Sequence, residues 1–170
     1  SLISAWYPLI HPVQTIKENI AWHDILSPTP EDIKFLKQRF NVHPVILEEL
    51  KMPSARQKVE IYGEVLYLVL HLPFFDPEKR TSRPLEIDIL AKADEVATVR
   101  YEEFEPIDDF MKKCEALPGL KNQCLGATSA EFIYRLVQNV FDYIHRELHH
   151  ISEKIIKVED AVFSGKEKEM

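Results

Sequence analysis

The clearest pattern of hydrophobic and polar positions lies in residues 58–73, where Val59, Ile61 and their neighbours have the composition of a pleated, buried surface. The pattern predicts two strands joined by a tight turn at Gly63-Glu64, because glycine readily adopts the positive φ of a two-residue hairpin. The first strand alternates between apolar and polar-tipped residues. The second, Val65 to Leu70, is apolar on both faces and should be covered on both. We therefore expect the hairpin to lie inside a sheet that carries helices on at least one side.

The N-terminal third of the chain predicts two short strands followed by a helix. One strand is expected near Pro12 to Ile16 and another over Ile20 to Ile25. Thr29 and Pro30 have the residue types of a helix N-cap and a first helical position, and Asn41 is a suitable end.

A second and shorter helix is predicted from His43 to Leu50, with Pro44 at its first position. Glu48 and Glu49 fall in its last turn, where carboxylates oppose the helix dipole at a cost of a few tenths to about 1 kcal/mol each. This unfavourable placement suggests that another group holds them there.

The middle of the chain predicts a loop, a second hairpin and an amphipathic helix. Residues 74–84 are rich in proline and charge, which indicates the loop. Leu85 to Leu90 and Val96 to Tyr101 alternate as paired strands. Pro106 begins a helix whose apolar residues recur at spacings of three and four, and Leu117 to Gly126 is predicted to be a loop.

From Thr128 the chain is predicted to form one long helix with an apolar seam close to a 3.5-residue period. The seam consists of Ile133, Val137, Val140, Ile144, Leu148, Ile151, Ile155, Val158 and Val162. A second apolar row, Phe132, Leu136 and Phe141, accompanies only the first half. The first turns should therefore pack on the domain, whereas the later turns present a narrower stripe to one partner helix.

Together these elements predict an α/β fold, a mixed β-sheet covered by helices as an α/β/α sandwich, that ends in a long C-terminal helix. We expect an α/β domain over residues 1–127, the long helical part over 128–164 and a short tail over 165–170. The chain begins without Met and ends in a charged stretch, which suggests a piece of a longer protein.

Composition narrows the possible partners. The net charge of -7 weighs against a general nucleic-acid or anionic-membrane binder and is compatible with cations. No run of about 18 apolar residues is present, so no segment is expected to span a bilayer. Cys114 and Cys124 are expected to be reduced thiols rather than a disulfide.

Enzyme motifs are absent from the sequence: it has no G-x-S-x-G elbow, no glycine-rich phosphate loop and no CxxC pair. His145 and His149 lie one helical turn apart and could share a metal, but their surroundings differ from the H-E-x-x-H motif and favour solvated side chains.

Glu48 and Glu49 suit a hard cation such as Mg²⁺, although spacing alone favours ordinary surface charge. An acidic cluster is better explained as a solvated helix start. The cluster comprises Glu102, Glu103, Glu105, Asp108 and Asp109.

Five stretches in this order resemble the N-terminal cytoplasmic domain of the CorA family of divalent-cation transporters. They are WHDILSPTPEDIKFL, HPVILEEL, RQKVEIYGEVLYLVLHLP, LEIDIL and TVRYEEFEPIDDF. The family's Gly-Met-Asn pore signature and both of its membrane helices are absent from these residues.

The resemblance implies a homopentamer in the full-length protein, with divalent cations bound between neighbouring cytoplasmic domains to hold the channel closed. It aligns Glu49 with an acidic sensor residue of the family and Glu48 with a second site. Three departures matter: the sensor residue is often Asp, Arg56-Gln57-Lys58 lacks the family's central proline, and Gln138 replaces an acidic ligand of the second site.

The resulting prediction is a regulatory domain, without enzyme activity, on the cytoplasmic side of an inner (plasma) membrane Mg²⁺ or Co²⁺ transporter. The membrane contact would be made by helices outside this chain. One alternative is a Zn²⁺ transporter of the same superfamily, for which the histidines are a hint. Others are a soluble metal-dependent hydrolase and an interaction module that self-associates through the helical seam.

Overall fold

The structure is a computed structural model that describes residues 13–76, 81–116 and 118–164. Its elements are β1 (Gln14–Lys17), β2 (Ala21–Leu26), α1 (Pro30–Phe40), α2 (Pro44–Glu49), β3 (Lys58–Tyr62), β4 (Val65–Asp76), β5 (Thr81–Lys92), β6 (Glu95–Arg100), α3 (Glu105–Ala116), α4 (Pro118–Leu125) and α5 (Ser129–Phe163). The strands form one sheet in the order β1-β2-β6-β5-β4-β3. β2 and β6 pair in parallel, and the other neighbours are antiparallel.

Helices cover both faces of this sheet, which confirms the predicted α/β/α sandwich. On one face, α3, α4 and α5 form a core in which the Trp22 ring lies 5.8 Å from that of Phe110 and 5.0 Å from that of Phe132. On the other face, α1 and α2 pack through residues such as Leu36 and Ile46. The sheet therefore separates two hydrophobic cores, one on each of its faces.

Local sequence signals place several helix ends and the first hairpin correctly. Thr29 caps α1 by accepting a hydrogen bond from the backbone N–H of Asp32, whose carboxylate accepts one from the N–H of Thr29. Asn41 ends the helix with a φ of 48°. Gly63 turns the β3–β4 hairpin with a φ of 60°.

The face of β3 that is buried is opposite to the one expected. Val59 is 68% exposed and Ile61 is 74% exposed, whereas Tyr62 packs against the core below α1 and α2. β3 is the edge strand, and among the described helices none covers this end of the sheet on the α5 side. Alternation identifies the two faces of a strand, but the covering helices decide which face is buried.

The predicted loop over residues 74–84 is wrong at both ends, because β4 and β5 form a long hairpin around it. Asp76 pairs with Thr81, and Pro73 lies opposite Pro84. The guanidinium of Arg83 stacks 5.0 Å from the centre of the Phe74 ring and pairs with Glu102. These contacts extend the strands despite the prolines, and residues 77–80 of the predicted loop lie outside the described residues.

The predicted loop over residues 117–126 is also wrong, because most of it is helix α4. Leu125 is fully buried and Cys124 nearly so, so the short helix is stabilised by tertiary packing. Gly126 follows with a φ of 72°, and its N–H donates to the carbonyl of Asn122 over 2.9 Å. Cys114 and Cys124 are both buried free thiols.

Helix α5 packs on the domain only through its first half, as expected. Its deepest row is Phe132, Leu136, Val140 and Ile144, which combines members of both predicted rows. Beyond Ile144, no side chain of the described part of α5 is buried.

The first strand begins two residues later than expected and spans Gln14–Lys17. Residues 1–12 and the 165–170 tail lie outside the described residues.

Two acidic side chains of β5 are buried, although alternation alone suggests an exposed polar face. Both carboxylate oxygens of Glu86 accept hydrogen bonds of 2.8 Å from the backbone N–H of Ser54, and His71 Nε2 lies 2.8 Å from the same group. The fully buried Asp88 accepts a 2.8 Å bond from the hydroxyl of Tyr101. Among the described residues, its Oδ1 atom has no hydrogen-bond partner.

Burial raises the pKa of Asp88, the hydrogen bond from Tyr101 opposes the shift and the neighbouring carboxylate of Glu86 adds to it, so that the resulting pKa is about 7. The folded chain therefore holds this proton more tightly than the unfolded chain does. Stability should fall as the pH rises from about 4 to about 7, by up to about 1.4 kcal/mol per pH unit from this group.

Asp88→Asn should remove this loss, because an amide of the same shape carries no charge to bury. Relative to the wild type, we expect the variant to gain stability as the pH rises from about 4 to about 7, to keep that advantage above pH 7 and to have none below pH 4. Urea unfolding at several pH values measures the difference. Asp109→Asn, at an exposed carboxylate of α3, is the matched control. A pH-independent difference between Asp88→Asn and the wild type would contradict the assignment.

A pair of glycines tests the α4 assignment. Gly126→Ala should destabilise the fold by about 1–2 kcal/mol, because a Cβ at this positive φ is strained and would lie 2.7 Å from the Glu131 side chain. Gly119 lies inside α4, and a Cβ there would meet no atom within 4 Å apart from its chain neighbours and the nearby backbone of its own helix, so Gly119→Ala should be neutral or stabilising by up to about 1 kcal/mol. Denaturant unfolding of both variants measures this, and destabilisation by Gly119→Ala would argue against a helix there.

Candidate metal site at helix α2

Helix α2 is short, and its ends and its burial explain how it presents two carboxylates. The imidazole Nδ1 of His43 accepts a 3.2 Å hydrogen bond from the N–H of Val45, which caps the helix start before Pro44. Ile46 and Leu50 are fully buried and anchor one side of the helix. The last turn is left at the surface.

Glu49 is held by the first residue of β3. The ammonium of Lys58 donates to Glu49 Oε2 over 2.5 Å and lies 3.3 Å from Glu60 Oε2, 4.9 Å from the centre of the Tyr67 ring. The Glu49 side chain remains 33% exposed. A partner cation therefore offsets the unfavourable position of this carboxylate at the end of the helix.

These neighbours favour the protonated, positively charged form of Lys58. Burial lowers the pKa of Lys58, but hydrogen bonds with Glu49 and Glu60 outweigh burial and give a net upward shift. The Tyr62 hydroxyl donates to Glu60 over 2.6 Å and fixes the second acceptor. The site is thus two carboxylates arranged around one ammonium group.

Glu48 is oriented separately from Glu49. Its carboxylate pairs with Lys51 over 2.7 Å, and both of these side chains are largely exposed. Different lysines therefore hold the two adjacent glutamates. Among the described residues, no group of three His, Cys, Asp or Glu side chains is placed to bind a metal ion.

Gln138, the position expected to complete a second site, lies elsewhere. It lines a polar cavity of about 250 Å³ together with Lys113, Arg135 and Asp142. The residues around this cavity belong to α3, α4 and α5, and α2 contributes none of them. Within one copy of the chain, the structure does not bring Gln138 to Glu48.

The histidines of the long helix are solvent-exposed. His149 Nε2 lies 3.6 Å from Glu153 Oε1, and its ring centre is 6.4 Å from that of His150. His145 projects from the same exposed half of α5. These side chains agree with the solvated interpretation of the motif.

Three carboxylates of the acidic cluster at the start of α3 pair with basic side chains. Asp108 pairs with the buried guanidinium of Arg100 over 2.5 Å, and Glu102 pairs with Arg83. Arg100 in turn donates two hydrogen bonds to the buried Asp24. Arg100 therefore connects α3 to β2 and β6 through Asp108 and Asp24, and among the described residues the cluster forms no metal-binding group.

Lys58 is the residue that the sequence analysis missed. Its signal was present, since a lysine opens the strand that follows the two glutamates, but a contact nine residues apart depends on how α2 and β3 fold together.

Across the described residues, no helix combines the length and hydrophobicity of a membrane-crossing segment.

Solved structures share this fold. The soluble domain of CorA from Methanocaldococcus jannaschii superposes with a TM-score of 0.69 at 15% identity, over 89% of this chain and 58% of that chain. The ZntB cytoplasmic domain from Vibrio parahaemolyticus gives a TM-score of 0.62 at 14% identity, over 83% of this chain and 55% of that chain. These likenesses confirm the predicted fold.

Sequence comparison identifies the family. The magnesium transporter ALR1 of Saccharomyces cerevisiae is 21% identical over 149 residues, which are 86% of this chain and 17% of the relative. This chain therefore spans about a sixth of that relative's length. A family model described as CorA-like Mg²⁺ transporter protein matches residues 17–170. Because that match includes most of the sequence, the chain belongs to the CorA-like family of Mg²⁺ transporters.

Proposed function

We propose that this chain is the cytoplasmic regulatory domain of a divalent-cation transporter and that it senses Mg²⁺ through Glu49 at a contact between subunits. The observation that carries the proposal is the ion pair between Glu49 and Lys58, in which an exposed carboxylate already holds a cationic group. Family membership supports a regulatory role for this surface carboxylate. Glu48, one residue away, is proposed to contribute to a second, adjacent site.

The residues fit a hydrated Mg²⁺ ion as a partial site. Mg²⁺ in proteins commonly keeps several waters and binds through one or two carboxylates. Glu49 supplies one such carboxylate, and among the described residues no group of three or more His, Cys, Asp or Glu side chains is placed to bind a metal ion. A neighbouring copy and bound water would complete the coordination, which is what a site between subunits requires.

Lys58 makes the proposed sensor reversible. A partly exposed ion pair contributes only about 0–1 kcal/mol, so a divalent cation can compete with the ammonium for Glu49. Glu60, 3.3 Å from the Lys58 ammonium, is in place to keep the displaced lysine paired. Cation binding would neutralise carboxylates at the contact and favour the closed assembly, and loss of the cation would free the subunits.

In the whole protein, we propose a homopentamer anchored in the inner (plasma) membrane by helices outside this chain, with the present domain on the cytoplasmic side. The transported ion is proposed to be Mg²⁺, with Co²⁺ as a second cargo. The family consists of ion transporters, and we propose no catalytic role for any residue of this chain.

A Zn²⁺ transporter is the second candidate. The fold likeness to the ZntB cytoplasmic domain and the exposed His149 beside Glu153 favour it, because imidazole is a good zinc ligand. Comparison of Zn²⁺ with Mg²⁺ flux through the whole transporter distinguishes the two ions.

Glu49→Gln in the whole transporter should weaken closure by Mg²⁺, because an amide keeps the size of the side chain and removes its charge. We expect the Mg²⁺ concentration for half-closure to rise by about tenfold, which corresponds to a loss of about 1.4 kcal/mol of binding free energy. Flux or current recorded against internal Mg²⁺ measures the shift.

Two variants serve as controls for this experiment. Lys58→Met should shift half-closure to lower Mg²⁺, since it removes the competing ammonium. Glu48→Gln should have the smaller effect, because Glu48 pairs with Lys51 and is far more exposed. An unchanged Mg²⁺ dependence in Glu49→Gln would show that this carboxylate is not the sensor.

A further inference from the structure

Two buried carboxyl groups lie two residues apart on β5, and one of them holds the loop between α2 and β3. Glu86 is 6% exposed and Asp88 is fully buried. Alternate residues of a strand point to the same face of a sheet. Leu90, the next residue on this face, packs in the core beneath α1 and α2. Both carboxyl groups are therefore on the face that these two helices cover.

Asp88 has donors for only one of its two oxygen atoms. Its Oδ2 accepts a 2.8 Å hydrogen bond from the hydroxyl of Tyr101 and lies 3.5 Å from the hydroxyl of Tyr67. Among the described residues, its Oδ1 has no hydrogen-bond partner. Buried carboxylate oxygens normally accept hydrogen bonds, whereas a protonated carboxyl group donates one. Oδ1 is therefore the atom on which a proton satisfies this group.

The surroundings of Asp88 favour that proton. The titratable groups that act on it most strongly are Glu86 on β5, Tyr67 on β4 and Tyr101 just after β6, and none of these three carries a positive charge. α1 and α2 contribute apolar side chains to the same core. A protonated Asp88 also donates a hydrogen bond to Glu86. The pKa of about 7, raised mainly by burial, agrees with this geometry.

Glu86 connects this proton to the loop. Its carboxylate accepts hydrogen bonds from the backbone N–H of Ser54 over 2.8 Å and from the Ser54 hydroxyl over 3.2 Å, and His71 Nε2 lies 2.8 Å from it. When Asp88 is ionised, the two buried carboxylates repel each other. Glu86 is the one that can move toward solvent, because it lies beside the partly exposed side chain of His71. Such a movement breaks its contacts with Ser54.

We propose that Asp88 and Glu86 form a proton-controlled latch on residues 50–57, the loop between α2 and β3. With a proton on Asp88, this carboxyl latch is closed and Glu86 holds Ser54. Loss of the proton to solvent opens the carboxyl latch, and the loop is released while the sheet stays paired. The device is a property of the chain itself and does not depend on any bound cation.

The loop carries the change to the candidate metal site. Glu49 ends α2 just before the loop and meets Lys58, the first residue after it, over 2.5 Å. The ring centre of Tyr67, whose hydroxyl lies near Asp88, is 4.9 Å from the same Lys58 ammonium. This step rests on the proposed function of Glu49: release of the loop takes the site apart and weakens its Mg²⁺ binding. A site made only of carboxylates behaves in the opposite way, because its ligands lose protons as the pH rises.

Amide hydrogen exchange of Ser54 in the 170-residue chain tests the carboxyl latch. We expect its protection, relative to an unstructured peptide at the same pH, to fall about tenfold from pH 6 to pH 8, since a group with a pKa near 7 goes from about one-tenth to about nine-tenths ionised. The amide of Leu90, inside the β5 ladder, reports opening of the whole fold. Its protection should fall less than that of Ser54.

Three variants complete this experiment. Asp88→Asn should keep Ser54 protected at every pH, because the amide can still donate to Glu86 and has no proton to lose. Glu86→Gln should leave Ser54 poorly protected at every pH, since one acceptor oxygen is removed. Asp109→Asn, at an exposed carboxylate, should behave as the wild type. Equal falls at Ser54 and Leu90, or a wild-type pH dependence in Asp88→Asn, would overturn the proposal.

The Mg²⁺ dependence of closure in the whole transporter tests the link to the sensor. From internal pH 6.5 to 8, the Mg²⁺ concentration for half-closure should rise at least about threefold in the wild type and stay constant in Asp88→Asn. The same pH dependence in both would overturn the link, even where Ser54 responds as expected. Failure of the proposed function is a different result, because Glu49→Gln would then leave closure unchanged while Ser54 exchange still reports the carboxyl latch.

Discussion

The structure depends on strand β5, because it is paired along both edges and covered on both faces. Leu85, Ile87 and Ile89 face the core beneath α3, α4 and α5, while Leu90 faces the core beneath α1 and α2. A strand in this position leaves no exposed side for its polar residues. Glu86 and Asp88 must therefore find partners inside the protein, and the contacts they make connect the interior to the surface.

Glu86 connects β5 to the candidate site. By accepting hydrogen bonds from the backbone of Ser54, it fixes the segment between the end of α2 and the start of β3. Glu49 lies just before this segment and Lys58 just after it, so a buried carboxylate braces the loop that brings them together. The surface ion pair is thus positioned by the core, although its own contribution to stability is small.

This arrangement is compatible with the response to cations that we propose. Several acidic groups of the chain are committed to fixed pairs, such as Asp24 and Asp108 with the buried Arg100. The ion pair of Glu49 is different, because it remains partly exposed and its lysine has Glu60 as a second acceptor. A cation can enter such a pair without leaving a buried charge unpaired, whereas the same exchange at Arg100 would be costly.

The sequence by itself determined the type and order of most elements, because turns, caps and hydrophobic periodicity act over a few residues, as at Thr29, Asn41 and Gly63. It also identified the family resemblance, whereas the assignment of Glu49 as a sensor stays a prediction. Tertiary structure decided the rest. Packing of Leu125 makes α4 a helix, the missing cover exposes Val59 and Ile61, and folding brings Lys58 to Glu49. These outcomes depend on contacts between segments distant in the sequence or on the edge of the sheet, which local patterns do not specify.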